Sequence, residues 1–206
     1  WIALLLIPAT NLVGLAFTGM EHSLQVFLCA LIVLGIGILF QRGSPPAWLV
    51  PVMIAAPLVR YECLAVVGPA AAVLILRRQW KTAATGLGGA LLGLILFSVF
   101  LRLQGLDWLP SSVIAKSQFG SSMVYHGSLF GSLLNHIRDN LRLGQGKALA
   151  VVGIFLGLAS LFKFKGRLLA AFGAAGILLH LAAGQFAWWD RYEIYIITTT
   201  LLVIIL

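Results

Sequence analysis

Charged residues are scarce in this sequence. They make up 10% of its 206 residues, whereas 61% are hydrophobic and the mean hydropathy is +1.03. Because a soluble domain carries about 25% charged residues, this composition excludes an ordinary soluble protein and predicts an integral membrane protein. The net charge of +8 is scattered between apolar segments, without a long polar basic face. It therefore indicates anionic lipid headgroups or phosphate-bearing substrates as partners, not nucleic acid.

The sequence also lacks the short motifs that mark many enzymes and cofactor sites. It has no Walker loop, no GxSxG, no HExxH and no dinucleotide-type glycine fingerprint, so nothing in it supports ATP-driven chemistry. Cys29 and Cys63 have no CxxC or metal-ligand spacing, and we interpret them as small packing residues. We therefore predict no cofactor and no metal site, and leave a divalent metal open.

Apolar runs dominate the sequence and predict an all-α fold, a polytopic transmembrane helical bundle with about eight membrane segments. A spanning helix needs about 20 apolar residues. The runs at 47–59 and 63–76 are short. We interpret them as a hairpin, because that arrangement puts the three basic clusters, near 42, 77–81 and 163–167, on one side of the membrane. The predicted segments are 2–17, 22–40, 47–59, 63–76, 82–101, 148–162, 168–183 and 194–206.

The distribution of charge predicts the orientation of the chain. Short cytoplasmic loops are enriched in Lys and Arg, which assigns the basic clusters near 42, 77–81 and 163–167 to the cytoplasm. Nearly all other ionisable side chains then face the opposite side. The sequence thus predicts one membrane domain over residues 1–206, in a multi-pass cell-membrane protein whose active face is extracytoplasmic.

A long extracytoplasmic loop is predicted at 102–147. Ser128 is a candidate N-cap for a helix that runs to about Leu143. Apolar residues recur there at helical spacing, and the charged residues fall mainly on other faces, which is typical of a helix lying in the membrane interface. The apolar positions are Leu129, Phe130, Leu133, Leu134, Ile137 and Leu141.

Three cations on the predicted outer side are candidates for binding a lipid phosphate. The planar fork of Arg60 suits phosphate oxygens, and Lys116 offers a point charge. Arg191, before the last segment, is the third candidate. Each cation also has an open alternative. For Arg60 it is a local pair with Glu62 that lets a hairpin turn. For Lys116 it is a solvated loop lysine, and for Arg191 an interface anchor.

Four further side chains are candidates for binding a sugar or orienting these cations: Glu21, His22, Glu62 and Asp190. A carboxylate at the mouth of an apolar helix loses hydration energy unless it is solvated or paired. Glu21 is equally well explained as a residue that stabilises a helix start through the helix dipole. Asp190 is a candidate partner of its neighbour Arg191, and the stretch around them is equally well explained as an interface anchor.

Four stretches, in this order, resemble boxes of the GT-C superfamily of polytopic glycosyltransferases, in its arabinofuranosyltransferase- and mannosyltransferase-like branch. They are GMEHS at 19–23, RYEC at 60–63, LPSSVIAK at 109–116 and DRY at 190–192. The family boxes they resemble are GMET or GLE, RPEG, LPNT…K and RY or RF. Tyr61, Cys63 and the Ser111-Ser112 pair depart from them.

The resemblance implies transfer of a sugar from a polyprenyl-phosphate donor to a glycan, lipid or protein acceptor hydroxyl. The catalytic aspartate of such enzymes lies in a first outer loop that has no match here. We therefore expect it upstream of Trp1, interpret the chain as a fragment, and leave the catalytic residue unassigned.

Three other functions compete with this interpretation. A transporter or flippase of lipid-linked sugars predicts polar residues deep in several spans and a path to both sides. A polymerase or ligase of the O-antigen type also has a long, basic outer loop. A non-catalytic membrane scaffold is the third alternative, because the sequence has no match to the catalytic loop.

Overall fold

The fold is known from a computed structural model that describes residues 20–108, 129–164, 166–184 and 193–206. Every regular element in these ranges is helical, which confirms the all-α class. The helices are α1 (Met20–Arg42), α2 (Leu49–Val59), α3 (Leu64–Leu76), α4 (Trp80–Leu103), α5 (Leu129–Asn140), α6 (Gly144–Leu161), α7 (Arg167–Ala183) and α8 (Ile194–Ile205), with a 3-10 turn at Tyr61–Cys63.

Three helices of the described ranges are long and apolar enough to cross a membrane: Glu21–Arg42 within α1, α4 and α6. The apolar helices α2, α3, α7 and α8 have 11, 13, 17 and 12 residues. At about 1.5 Å per residue, each is shorter than the roughly 30 Å hydrocarbon core. Seven predicted segments thus correspond to helices, the segment at 2–17 lies outside the described residues, and the count of eight spans stays a prediction.

Residues 47–76 form the predicted hairpin. Leu49 packs beside Gly35 of α1, and Arg60 reaches Glu21, so α2 runs antiparallel to α1. The Sγ atoms of Cys29 and Cys63 lie 3.7 Å apart, and the guanidinium of Arg77 lies over the ring of Phe40. Helix α3 therefore runs parallel to α1 and opposite to α2.

The described charges separate by bundle end, as the sequence predicts. Helix α6 packs antiparallel to α7, since Gly153 faces Ile177. Helix α8 returns to the end where α1 finishes, where Leu206 faces Gly37. The end where α1 finishes carries Arg42, Arg77, Arg78, Lys81, Lys163 and Arg167. The opposite end carries charges of both signs: Glu21, Arg60, Glu62, Arg102, Asp107, Arg138, Asp139, Arg142, Lys147 and Glu193.

The helix predicted within the long loop is present as α5, but it ends at Asn140 and not near Leu143, and its place in the membrane interface stays a prediction. A tight turn follows, in which the N–H of Leu143 donates to the carbonyl of Asn140 at 3.2 Å, and α6 begins at the next residue. Its candidate cap Ser128 lies outside the described residues.

Polar side chains attach α5 to the bundle, which the apolar pattern did not predict. Nε2 of His136 lies 2.6 Å from the carbonyl oxygen of Gly184, and Nδ2 of Asn140 donates to the carbonyl of Leu181 at 2.9 Å. Both side chains are buried. The carbonyl groups that they contact lie at the C-terminal end of α7, where the helix has no further N–H groups to bond them. These contacts attach α5 to that end of α7.

Candidate functional site

Four predicted site residues converge at the end of the bundle where α1 begins. Nη1 of Arg60 lies 2.9 Å from Oε1 of Glu21 and 2.8 Å from Nδ1 of His22. On its other side, Nη2 and Nε of Arg60 donate to the two carboxylate oxygens of Glu62 at 2.8 and 3.3 Å. We call these four residues the Arg60 cluster.

The end of α2 places Arg60 in this position. Helix α2 ends at Val59, although the N–H of Arg60 still donates to the carbonyl of Ala56 at 3.1 Å. The backbone of Arg60 is extended, with φ −152° and ψ 129°, and the 3-10 turn at Tyr61–Cys63 follows at once. This break in the helix turns the Arg60 side chain toward α1 and brings Glu62 back onto its guanidinium.

The Arg60 cluster is a partly buried network of two carboxylates, one guanidinium and one imidazole. The side chains of Arg60 and His22 are 7% and 9% exposed, whereas those of Glu62 and Glu21 are 26% and 63% exposed. The imidazole of His22 lies between the other two partners on this side, since its Nδ1 is also 3.5 Å from Oε1 of Glu21. Glu21 also lies in the first turn of α1, where the helix dipole stabilises a negative charge.

A second polar layer lies beneath the Arg60 cluster, between α1, α3, α7 and α8. The hydroxyl of Tyr195 and Nδ1 of His180 lie 2.8 Å apart, and both side chains are buried. The buried thiols of Cys29 and Cys63 lie 3.7 Å from each other. His180 of α7 thus contacts the neighbouring helix α8, and the cysteines pack in the core as predicted.

Three predicted site residues, Lys116, Asp190 and Arg191, lie outside the described residues, so their candidate roles stay predictions. Among the described histidines, cysteines, aspartates and glutamates, no group of three or more is arranged to hold a metal ion. The Arg60 cluster itself offers carboxylate oxygens and an arginine, which together suit hydrogen bonding and charge pairing.

Two buried polar side chains near this end were not among the predicted site residues. Glu193, directly before α8, is 1% exposed. Gln25, one turn into α1, is also 1% exposed, and neither of its amide atoms has a hydrogen-bond partner in the part of the chain that the structure describes. The helical spacing of Gln25 from Glu21 and His22 was the available signal, because residues three and four apart share a helix face.

Comparison with protein-family models, with curated proteins and with solved structures finds no match.

Proposed function

We propose that this chain is the membrane-embedded part of a GT-C type glycosyltransferase. It transfers a sugar from a polyprenyl-phosphate donor to an acceptor hydroxyl at the extracytoplasmic face of a multi-pass, eight-segment membrane domain. One observation carries the proposal: the GMEHS and RYEC stretches, which both resemble family boxes, meet in space through the 2.9 Å contact of Arg60 with Glu21. Two stretches with unrelated structural roles have no need to share one ion network.

The chemistry requires cations near the leaving phosphate and groups that hold a sugar. As the donor departs, negative charge grows on its lipid phosphate, and preorganised cations stabilise that charge. The two carboxylates offset the charge of Arg60, so Arg60 alone does not make this end of the bundle attractive to phosphate. The proposal therefore assigns the phosphate to Arg60 together with Lys116 and Arg191.

The remaining four site residues have supporting roles in this proposal. Glu21 and His22 position Arg60, since both contact its Nη1 atom. Glu62 fixes the opposite edge of the guanidinium, and Asp190 is assigned to sugar binding or to orienting Arg191. None of these is assigned as the catalytic base that removes the acceptor proton.

The test is turnover of labelled donors by the full-length protein in lipid nanodiscs. Polyprenyl-phosphate pentoses and hexoses, labelled in the sugar, are incubated with membrane extracts as acceptors. Release of polyprenyl phosphate and transfer of label are measured for the wild type, for Arg60→Gln and for Arg142→Gln. Arg142 is a matched control, because it is an arginine in an exposed ion pair with Asp139 at 3.0 Å.

We expect the wild type to separate sugar from phosphate, and Arg60→Gln to lower the rate by about 100-fold or more. Arg142→Gln should stay within about twofold of the wild type, because exposed ion pairs contribute little. A wild type that turns over no donor, or equal rates for the two variants, contradicts the proposal.

Transport of the lipid-linked sugar is the second candidate, and a specific observation favours it. Gln25 and Thr199 are buried in apolar helices, and their polar side-chain atoms have no hydrogen-bond partner among the described residues. Polar groups at such positions mark many substrate paths in membranes. The same assay separates the two functions, because a transporter moves the donor across the bilayer with its sugar–phosphate bond intact.

A further inference from the structure

Gln25 lies between two contacts that join α1 to the turn of the hairpin. One helical turn toward the N-terminus of α1, Glu21 and His22 contact Arg60. One helical turn toward the C-terminus of α1, Cys29 contacts Cys63. Since side chains three and four positions apart share one helix face, the amide of Gln25 faces the turn between Arg60 and Cys63.

This position leaves a strong hydrogen-bonding group unsatisfied. Gln25 is 1% exposed, and neither Oε1 nor Nε2 has a hydrogen-bond partner among the described residues. A buried, unpaired amide is costly, and an apolar residue of similar size would avoid that cost. The hydroxyl oxygen of Tyr61, in the turn between Arg60 and Cys63, is also buried without such a partner.

We infer that Gln25 is a binding residue for the neutral hydroxyl groups of a sugar, a role that rests on the proposed glycosyltransferase function. The unpaired groups of Gln25 and Tyr61 are an amide and a hydroxyl, which donate and accept hydrogen bonds but carry no charge. Such groups match a polyhydroxylated ligand. A phosphate suits these groups poorly, because none of them carries a positive charge. The sugar belongs either to the donor or to the acceptor, and both present the same chemistry.

The test compares Gln25→Leu with the wild type for three probes in nanodiscs: a polyprenyl-phosphate hexose, the same polyprenyl phosphate without sugar, and a soluble methyl hexopyranoside. The difference in affinity between the first two probes gives the contribution of the donor sugar to binding. The affinity for the third probe reports binding of an acceptor sugar. Thr198→Val is the matched control, because Thr198 is also buried with an unpartnered hydroxyl but lies on α8 and not on α1.

For a sugar of the donor, we expect Gln25→Leu to reduce the preference for sugar-bearing lipid by about tenfold or more, with binding of bare polyprenyl phosphate unchanged. For a sugar of the acceptor, only methyl hexopyranoside binding falls. In both cases the apparent Tm should rise by about 2–4 °C, because an unpaired amide has been removed. That rise also shows that the variant folds.

Three results overturn the inference. Unchanged affinities for all probes in Gln25→Leu make the residue a purely structural one, while leaving the proposed transferase function intact. An equal loss in Thr198→Val indicates general loosening of the bundle. A wild type that binds no probe contradicts both the inference and the proposed function.

Discussion

Glu21 and Arg60 are 39 positions apart in the sequence, yet a carboxylate oxygen of one lies 2.9 Å from a guanidinium nitrogen of the other. Arg60 is buried and also holds Glu62, so it neutralises part of two carboxylate charges at once. Breaking such a pair leaves charges without their partner in a partly desolvated place. The stability of this end of the bundle should therefore depend strongly on Arg60.

The first prediction is that Arg60→Gln destabilises the protein by about 3 kcal/mol, because Glu62 loses its bidentate partner. For a chain of this size, that corresponds to a fall in apparent Tm of about 6–12 °C, measured by thermal unfolding in nanodiscs. Arg142→Gln, at the exposed pair with Asp139, should cost less than about 1 kcal/mol. Equal shifts for the two variants would mean that the Arg60 cluster contributes no more than a surface ion pair.

Sequence reasoning identified much of the Arg60 cluster because charge is so rare here. In apolar surroundings, Glu21, His22, Arg60 and Glu62 stand out, and the positive-inside rule places them on one side. The local pair of Arg60 with Glu62 was among the alternatives that the sequence offered, and the structure contains it. The contacts of Arg60 with Glu21 and His22 were beyond the sequence, since they depend on how far α2 rises along α1. That register is set by contacts such as Leu49 against Gly35, which involve no charged residue.

The buried polar residues were harder to predict for a different reason. Gln25, His136 and Asn140 are ordinary residues in a sequence, and only packing shows that water cannot reach them. The pattern of α5 predicted an apolar contact face, but carbonyl groups at the end of α7 need donors, and His136 and Asn140 supply polar contacts. Unsatisfied carbonyls at a helix end belong to the three-dimensional structure and leave no periodic signal.

The second prediction concerns the buried contact between His180 and Tyr195. Tyr195→Phe removes the hydroxyl that lies 2.8 Å from Nδ1 of His180, so it should destabilise the protein by about 1–3 kcal/mol. Tyr61→Phe is the control, because the Tyr61 hydroxyl is buried but has no partner among the described residues. Its removal should be neutral or slightly stabilising in the same thermal assay. A larger loss for Tyr61→Phe would reverse our assignment of which hydroxyl supports the fold.

The third prediction tests the packing of α4 on the hairpin with two adjacent glycines. A Cβ on Gly89 would lie 2.7 Å from Cδ1 of Ile54, whereas a Cβ on Gly88 would have nothing within 4 Å. Gly89→Val should therefore destabilise the protein by about 1–3 kcal/mol through overpacking. Gly88→Val should change stability by less than about 0.5 kcal/mol, since the helix propensities of the two residues are similar. If both substitutions are tolerated, α2 and α4 do not pack as the structure shows.

The fourth prediction is that both native cysteines are unreactive in the folded protein. Cys29 and Cys63 are each 0% exposed. A maleimide should therefore label neither thiol in nanodiscs and both after denaturation, as read from the intact mass. Gln104→Cys, at the exposed end of α4, provides the positive control for reagent activity. Labelling of either native thiol before denaturation would show that α1 and α3 separate in solution.

The fifth prediction concerns the orientation of the chain in the membrane. Because the native cysteines should not be labelled, single cysteines introduced at the two ends of the bundle can report which side of the membrane each end faces. Gln104 lies at the same bundle end as the Arg60 cluster, and Ser44 lies at the basic end, just after α1; both are exposed. Because basic loops stay in the cytoplasm, a membrane-impermeant maleimide should label Gln104→Cys in intact cells. Ser44→Cys should react only after the cells are permeabilised. The opposite pattern would put the Arg60 cluster in the cytoplasm, where the extracytoplasmic transfer that we propose cannot occur.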